Sequence, residues 1–165
     1  DKKVVLYAPT FRKKGQVNYA SFIREFLARA PKETILIIKQ HPLDSTTINS
    51  GDRVIVDSQY DVLRLLSVTD YVVTDYSALV FEASLLEKPI FLWTYDAEKY
   101  DETRGFALDL SEESQFYMSE SAQDIITAIG SHDPAHVAAS NNFAKQFVDV
   151  RDGSCTRKIV ELLPL

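Results

Sequence analysis

The chain has 165 residues, of which 45% are hydrophobic and 25% are charged. This length is sufficient for one substantial hydrophobic core but too short for two domains of ordinary size. The hydrophobic content and the mixture of positive and negative charges argue against a disordered chain. The formal net charge of −6 argues against a nucleic-acid-binding protein, which usually carries a basic face.

The single cysteine, Cys155, cannot form an internal disulfide, which favours a reducing compartment. Its position at a predicted helix start fits a structural thiol better than a nucleophile. No apolar stretch approaches the roughly 20 residues that a membrane span requires.

Apolar runs alternate with segments of helical period from the start of the chain. Residues 4–8 form a short hydrophobic run before a proline, which predicts a buried strand. A basic loop follows, and residues 19–30 predict a helix that ends before Pro31. Two further strands are predicted at 34–38 and 53–56, and a helix at 62–66.

The second half continues the alternation. A strand at 71–74 runs into a helix at 78–86, and a fifth strand covers 89–93. Residues 96–114 have a weak pattern, which predicts a loop with short helical turns. A short edge strand is predicted at 116–118, and three helices follow at 121–129, 136–148 and 154–163.

This order predicts an α/β fold with one doubly wound parallel sheet, because continuously apolar strands are covered on both faces. We expect the strand order 3-2-1-4-5, with a sixth strand at the edge. Ligands bind such sheets at the carboxyl ends of the strands, beside the switch between the first and fourth strands. Polar segments follow three of those strands, at residues 9–12, 41–42 and 75–77.

Ser77 stands where a helix begins, and a helix start offers unpaired N–H groups that suit a phosphate. The simpler interpretation is an N-cap, and both roles are compatible. Glu82 lies about one turn further, where it either accepts hydrogen bonds from ribose hydroxyls or faces solvent.

His41 follows a strand end, so it is a candidate proton carrier or phosphate contact, or a structural histidine. Arg12 and Arg104 are candidate cations for a diphosphate, because guanidinium groups pair with phosphate oxygens in a fixed fork. Lys13 and Lys14 fit solvated surface charge. His132 and His136 are expected at the surface, their spacing predicts no metal site, and no cofactor is predicted.

Several short motifs together resemble one family. Residues 7–12 read YAPTFR, 39–42 read KQHP, 74–77 read TDYS, 88–91 read KPIF and 104–106 read RGF. With Tyr95, Asp96, Tyr100, Asp109 and a late Asp-Gly at 152–153, this ordered set resembles the CDP-glycerol glycerophosphotransferases over nearly the whole chain.

The resemblance implies a GT-B architecture of two Rossmann-like domains, of which residues 1–165 form the C-terminal, donor-binding half. It implies transfer of glycerol phosphate from CDP-glycerol to a teichoic-acid-like polymer or a lipid-linked primer, with CMP as the leaving group. Family members sit at the cytoplasmic face of the cell membrane. The acceptor and a second histidine, the candidate general base, are expected on an N-terminal domain that this chain lacks.

Carried over by motif, His41 is the implied catalytic residue, which stabilises the diphosphate as CMP departs or moves a proton. The implied donor-binding set is Thr10, Arg12, Asp75, Tyr76, Ser77, Ala78, Glu82, Arg104 and Gly105. Ser77 and its neighbouring amides hold the diphosphate in this interpretation, Glu82 suits the ribose, and Arg104 supplies a further contact.

Three departures from the family pattern leave the donor open. Ala78 replaces a second serine, and residues 104–110 lack an aromatic that follows Phe106 in the family. The family's Pro-Gly-Pro turn after this segment is also absent, and residues 111–115 stand in its place. CDP-ribitol or another CDP-alditol therefore remains an alternative donor. Other interpretations are a UDP-sugar GT-B enzyme and a noncatalytic nucleotide-binding module. A flavodoxin-like or receiver domain predicts acidic residues after the first strand, where this chain carries Arg12.

Overall fold

The computed structural model describes residues 2–12, 16–106 and 108–163. Within these residues six strands form one sheet: β1 (Lys3–Tyr7), β2 (Thr34–Lys39), β3 (Val54–Asp57), β4 (Tyr71–Thr74), β5 (Ile90–Trp93) and β6 (Tyr117–Ser119). The helices are α1 (Tyr19–Arg29), α2 (Val62–Ser67), α3 (Leu79–Leu85), α4 (Ala97–Arg104), α5 (Leu110–Glu113), α6 (Ala122–Ser131), α7 (Ala135–Phe147) and α8 (Cys155–Glu161). Lys13 and Lys14, predicted as surface charge, lie outside the described residues.

The sheet has the order β3-β2-β1-β4-β5-β6, and every neighbouring pair of strands is parallel. This confirms the predicted doubly wound, Rossmann-like fold, its strand order and the sixth strand at the edge. β2 and β3 are added on one side of β1, and β4 to β6 are added on the other side. The segments that follow β1 and β4 therefore lie side by side. The carboxyl ends of the strands beside this switch position the candidate site.

Helices cover both faces of the sheet, each with its own hydrophobic cluster. On one face α1 and α6 pack over β1 and β5, with Phe22 and Phe26 of α1 fully buried. On the other face α2, α3 and α7 pack around Leu6, Val72 and Phe143. Strands such as β5, buried at all four positions, therefore read as continuous apolar runs.

The start of α3 differs from the prediction. Ser77 was expected as the N-cap of α3, but Ala78 occupies that position and Ser77 precedes it. The serine still serves the first turn, because its Oγ accepts a hydrogen bond from the Leu79 N–H at 3.2 Å. The predicted loop at 96–114 contains α4 and α5, which fits the expected short helical turns.

The histidines after α6 differ in exposure. His132 is exposed, as predicted, whereas His136 is half-buried, with its ring centroid 4.7 Å from that of Phe91. None of the helices in the described ranges is long and apolar enough to cross a membrane.

The buried face of α1 provides a stability test. Phe22→Ala should destabilise the chain by about 3–5 kcal/mol, because it removes a fully buried ring and leaves a cavity. Leu27→Ala on the same helix is the matched control, since Leu27 is 48% exposed, and it should cost less than about 1 kcal/mol. Urea unfolding measures both, and equal losses would contradict the packing of α1.

Candidate functional site

The segments after β1 and β4 are tied together at the carboxyl edge of the sheet. The Ala8 N–H donates to the Val73 carbonyl at 3.0 Å, and the Thr74 hydroxyl donates to the Ala8 carbonyl at 2.7 Å. Further along, the Thr10 N–H and hydroxyl both donate to the Asp75 carboxylate, at 2.9 and 2.6 Å. Parallel strands that meet at the switch point thus place two of the predicted polar segments in direct contact.

Asp75 is a buried anchor for these segments. Only 2% of the residue is exposed, and its carboxylate also accepts a hydrogen bond from the Tyr76 N–H at 2.7 Å. A nitrogen of the Arg12 guanidinium lies 2.9 Å from its Oδ2. The Asp75 oxygens are therefore occupied by protein groups of both segments.

Arg12 lies at the centre of a buried ion cluster that also includes Asp75 and Asp96. Its Nε and one terminal nitrogen donate to Asp96 at 2.7 and 2.9 Å, and the other terminal nitrogen donates to the Thr10 carbonyl at 2.6 Å. Burial alone would lower the pKa of the Arg12 guanidinium, but the hydrogen bond with Asp96 and the charge of Asp75 raise it overall. Arg12, predicted as a diphosphate contact, is thus paired within the protein and 8% exposed.

A pocket of about 320 Å³ opens beside this cluster, between α3, α4 and the segment that leads to α5. Three aromatic rings form part of its wall: the Tyr76 and Tyr100 centroids are 4.1 Å apart, and Phe106 lies 5.3 Å from Tyr76. Other apolar lining comes from Val80, Phe81, Leu108, Leu110 and Met118. This volume is at the small end of the range for small-molecule sites.

The charged side chains that line this pocket are all acidic among the described residues. Its lining includes Asp75 and Asp109, and among the residues that the structure describes it includes no Lys, Arg or His. A diphosphate in the pocket would therefore meet Asp109 and an Asp75 carboxylate that already holds Arg12, and no cation of the described lining would face it. An uncharged, flat, partly apolar group such as a nucleobase fits the lining better.

Five predicted donor-binding residues line the pocket: Asp75, Tyr76, Ser77, Ala78 and Gly105. Gly105 ends α4 with a φ of 70°, a backbone conformation that glycine adopts without strain. The predicted contacts Glu82 and Arg104 are exposed and do not line the pocket. Arg12 belongs to the ion cluster, and Thr10 is hydrogen-bonded to both Asp75 and Arg12; neither Thr10 nor Arg12 lines the pocket.

His41 lies outside the pocket, in the exposed segment after β2. Its ring stacks on Phe11, with centroids 5.2 Å apart, and its Nδ1 accepts a hydrogen bond from the Leu43 N–H at 3.1 Å. A neutral ring held this way carries its proton on Nε2 and offers that N–H as a donor.

The segment around His41 is anchored by Asp44. The Tyr19 hydroxyl donates to the Asp44 carboxylate at 2.8 Å, and the Thr46 N–H donates to it at 2.9 Å. Burial opposes ionisation of Asp44, but these hydrogen bonds outweigh it and lower the pKa of the carboxyl. The Asp44 N–H donates in turn to the His41 carbonyl at 2.8 Å, which links the anchor to the histidine.

Sequence reasoning missed the aromatic wall and Asp96 as members of the site. Tyr100, Phe106 and Asp96 were noted only as motif residues, although an aromatic cluster in a long irregular segment is itself a signal of a binding loop. Within the described ranges, no group of three or more His, Cys, Asp or Glu side chains is placed to hold a metal ion.

Comparisons with known proteins identify enzymes that transfer glycerol phosphate or ribitol phosphate. The family model of CDP-glycerol:poly(glycerophosphate) glycerophosphotransferase matches residues 1–164. A teichoic acid glycerol-phosphate transferase of Staphylococcus aureus is 31% identical over 99% of this chain and 45% of its own length. A teichoic acid poly(ribitol-phosphate) polymerase of Bacillus spizizenii is 32% identical over 98% of this chain and 28% of its own length.

Solved structures agree with this. The wall teichoic acid polymerase TagF aligns over 98% of this chain and 43% of its own, with a TM-score of 0.77 and 24% identity. A TagF variant soaked with CDPG aligns over 98% of this chain and 41% of its own, with a TM-score of 0.75 and 25% identity. The chain thus spans less than half the length of these relatives.

The hydrogen bond at His41 predicts its tautomer. In the neutral form of the His41 imidazole the proton should reside on Nε2, because Nδ1 is occupied as an acceptor. Nitrogen chemical shifts of the labelled imidazoles measure this, with His41→Gln used to assign the signals. The urea-unfolded chain is the reference and should show a more mixed tautomer population. A folded chain with the proton on Nδ1 would contradict the geometry.

Proposed function

This chain belongs to the CDP-glycerol:poly(glycerophosphate) glycerophosphotransferase family, and from that premise we propose that it binds the CDP-alditol donor of a teichoic acid transferase. The observation that carries this proposal is the pocket beside Ser77, with its aromatic wall and its lack of cations among the described lining residues. The relatives that span most of the chain include both glycerol-phosphate and ribitol-phosphate enzymes. CDP-glycerol is the donor we favour, and CDP-ribitol is the alternative.

The cytidine part of the donor occupies the pocket in this proposal. Tyr100 and Phe106 offer nearly parallel rings, with centroids 5.9 Å apart and an interplanar angle of 16°. A pyrimidine gains from stacking on such rings, and stacking on an aromatic side chain contributes about 1–3 kcal/mol per base. Thr94, Asp109 and Ser111 supply the polar lining that can hydrogen-bond an amino group or a ribose hydroxyl.

The diphosphate lies outside the pocket, along the carboxyl edge of the sheet, because the pocket lining supplies carboxylates instead of cations. Ser77 is one of the lining residues, and its hydroxyl accepts from the Leu79 N–H and retains its own proton for a phosphate oxygen. Arg104 directly precedes the lining residue Gly105 and is exposed, so its side chain is free to turn toward the donor. Glu82, predicted as the ribose contact, is exposed in the first turn of α3 and does not line the pocket. It therefore has no contact with the ribose in this proposal.

The proposed reaction moves glycerol phosphate from CDP-glycerol to an acceptor hydroxyl. The acceptor oxygen forms a bond to the phosphorus that carries glycerol, the bond from that phosphorus to the CMP oxygen breaks, and the acceptor proton passes to a base. His41 donates its Nε2–H to the diphosphate and stabilises the charge that develops on departing CMP. The base and the acceptor site belong to an N-terminal domain, and the enzyme works at the cytoplasmic face of the membrane.

Calorimetric titration of this chain tests the donor. CDP-glycerol and CMP should bind, UDP-glucose should bind more weakly, and the ratio of CDP-glycerol to CDP-ribitol affinity identifies the alditol. Phe106→Ala should weaken cytidine-ligand binding about tenfold through lost stacking. Tyr60→Ala is the matched control, because Tyr60 is an exposed aromatic that does not line the pocket, and it should leave binding unchanged.

Preference for UDP-glucose would favour a UDP-sugar enzyme and overturn the proposal. Tight binding of CMP that Phe106→Ala leaves unaffected would place the nucleotide elsewhere on the chain.

The role of His41 is tested in a full-length enzyme that carries this domain. His41→Ala should lower the transfer rate by about 10²–10³-fold, as does the loss of one preorganised donor to a developing charge, and should leave unfolding unchanged. His132→Ala is the control, since His132 is also exposed and lies apart from the pocket lining. Near-wild-type turnover of His41→Ala would remove this residue from the mechanism.

A further inference from the structure

We propose that Arg12 is a positioning residue that sets donor affinity through the aromatic wall of the pocket, without contact with the diphosphate. Arg12, Asp75 and Asp96 together form what we call the clamp. The effect on affinity rests on the function proposed above, whereas the order that the clamp imposes on the loops does not.

The clamp joins the segments after three consecutive strands of the sheet. Arg12 follows β1, Asp75 follows β4 and Asp96 follows β5, and these strands are neighbours in the order β1-β4-β5. Asp96 occupies the N-cap position of α4, yet its side chain makes no cap hydrogen bond. Its carboxylate is instead committed to the guanidinium, at 2.7 and 2.9 Å, so the start of α4 is fixed by Arg12.

Most N–H groups of the guanidinium are already directed at protein oxygens. Each of its three nitrogens lies within 2.9 Å of a protein oxygen, and its side chain is 6% exposed. Reaching a ligand would mean leaving two carboxylates, of Asp75 and Asp96, in a poorly hydrated site without their cation. Breaking such a buried pair is strongly unfavourable.

The clamp contacts the wall of the pocket directly. The central carbon of the guanidinium lies 5.3 Å from the ring centroid of Tyr76 and 5.1 Å from that of Tyr100. The Tyr76 hydroxyl also donates to Asp96 at 3.3 Å. Both tyrosines line the pocket, whereas Arg12 and Asp96 do not. Arg12 therefore supports the face on which the nucleoside stacks.

A positioning role and a phosphate-contact role predict opposite patterns of affinity. A phosphate contact affects only ligands that carry phosphate, whereas a displaced wall affects every ligand that has the base. A lysine keeps the charge for a phosphate but cannot reproduce the fork that holds Asp96 and Asp75. If Arg12 is a phosphate contact, neutralising Asp96 frees the guanidinium for the phosphate and raises the affinity for CDP-glycerol. If Arg12 is a positioning residue, neutralising Asp96 loosens the clamp and lowers the affinity.

The test compares cytidine with CDP-glycerol by NMR titration of the chain and its variants. Arg12→Met and Arg12→Lys should each weaken both ligands by the same factor, about tenfold, which corresponds to one lost stacking contact. Asp96→Asn should weaken both ligands too. Loss of CDP-glycerol affinity with unchanged cytidine affinity, rescue by Arg12→Lys, or tighter binding by Asp96→Asn would each overturn the proposal.

A ligand-free measurement covers the case in which the chain binds no cytidine ligand. Amide hydrogen exchange at residues 95–106 should accelerate at least about tenfold in Arg12→Met and Asp96→Asn, because local opening no longer breaks the clamp. Exchange in β1 and β2 reports whether each variant is folded, and Asp96→Asn decides if Arg12→Met does not fold. Wild-type protection of residues 95–106 in a folded variant would overturn the positioning role, whatever the ligand results.

Discussion

A guanidinium buried between two carboxylates connects the loops on which the candidate site is built. Arg12, Asp75 and Asp96 follow three neighbouring strands, and the parallel sheet brings them within hydrogen-bonding distance although they are far apart in sequence. Since buried ions must be paired, each member fixes the other two. The position of Tyr76, Tyr100 and the start of α4 follows from that pairing.

In our proposal the nucleoside and the diphosphate of the donor bind at different parts of the site. The pocket, with aromatic walls and carboxylates but no described cation, suits a nucleoside. Our proposal therefore places the diphosphate outside the pocket, at the carboxyl edge of the sheet. His41 is held by stacking on Phe11 and by the Leu43 N–H, so it presents a donor nitrogen instead of an acceptor. In our proposal a second domain completes the phosphate site at this edge, and the chain spans less than half the length of its relatives.

Most of the fold was predictable because each strand is a short apolar run bounded by turn chemistry. β4 was predicted to the residue, and the order of the strands follows from the alternation of strands and helices with right-handed crossovers. The pairing of Arg12 with Asp96 could not be predicted from these sequence patterns. A basic residue after β1 fits a phosphate contact as well as an ion pair, and its partner Asp96 is 84 positions away. The place of Phe106 in the pocket wall likewise became evident only from its distance to Tyr76 in the structure.

The central claim, that the pocket between α3 and α5 receives the cytidine part of the donor, is tested most directly by mapping CDP-glycerol on the chain. Amide NMR spectra recorded during a titration report which residues sense the ligand. Saturable shifts concentrated at residues 75–80 and 105–111, reproduced by cytidine alone, are the result predicted here. Shifts that cluster on another surface, such as around α7 and α8, while these two segments stay unchanged would contradict the account.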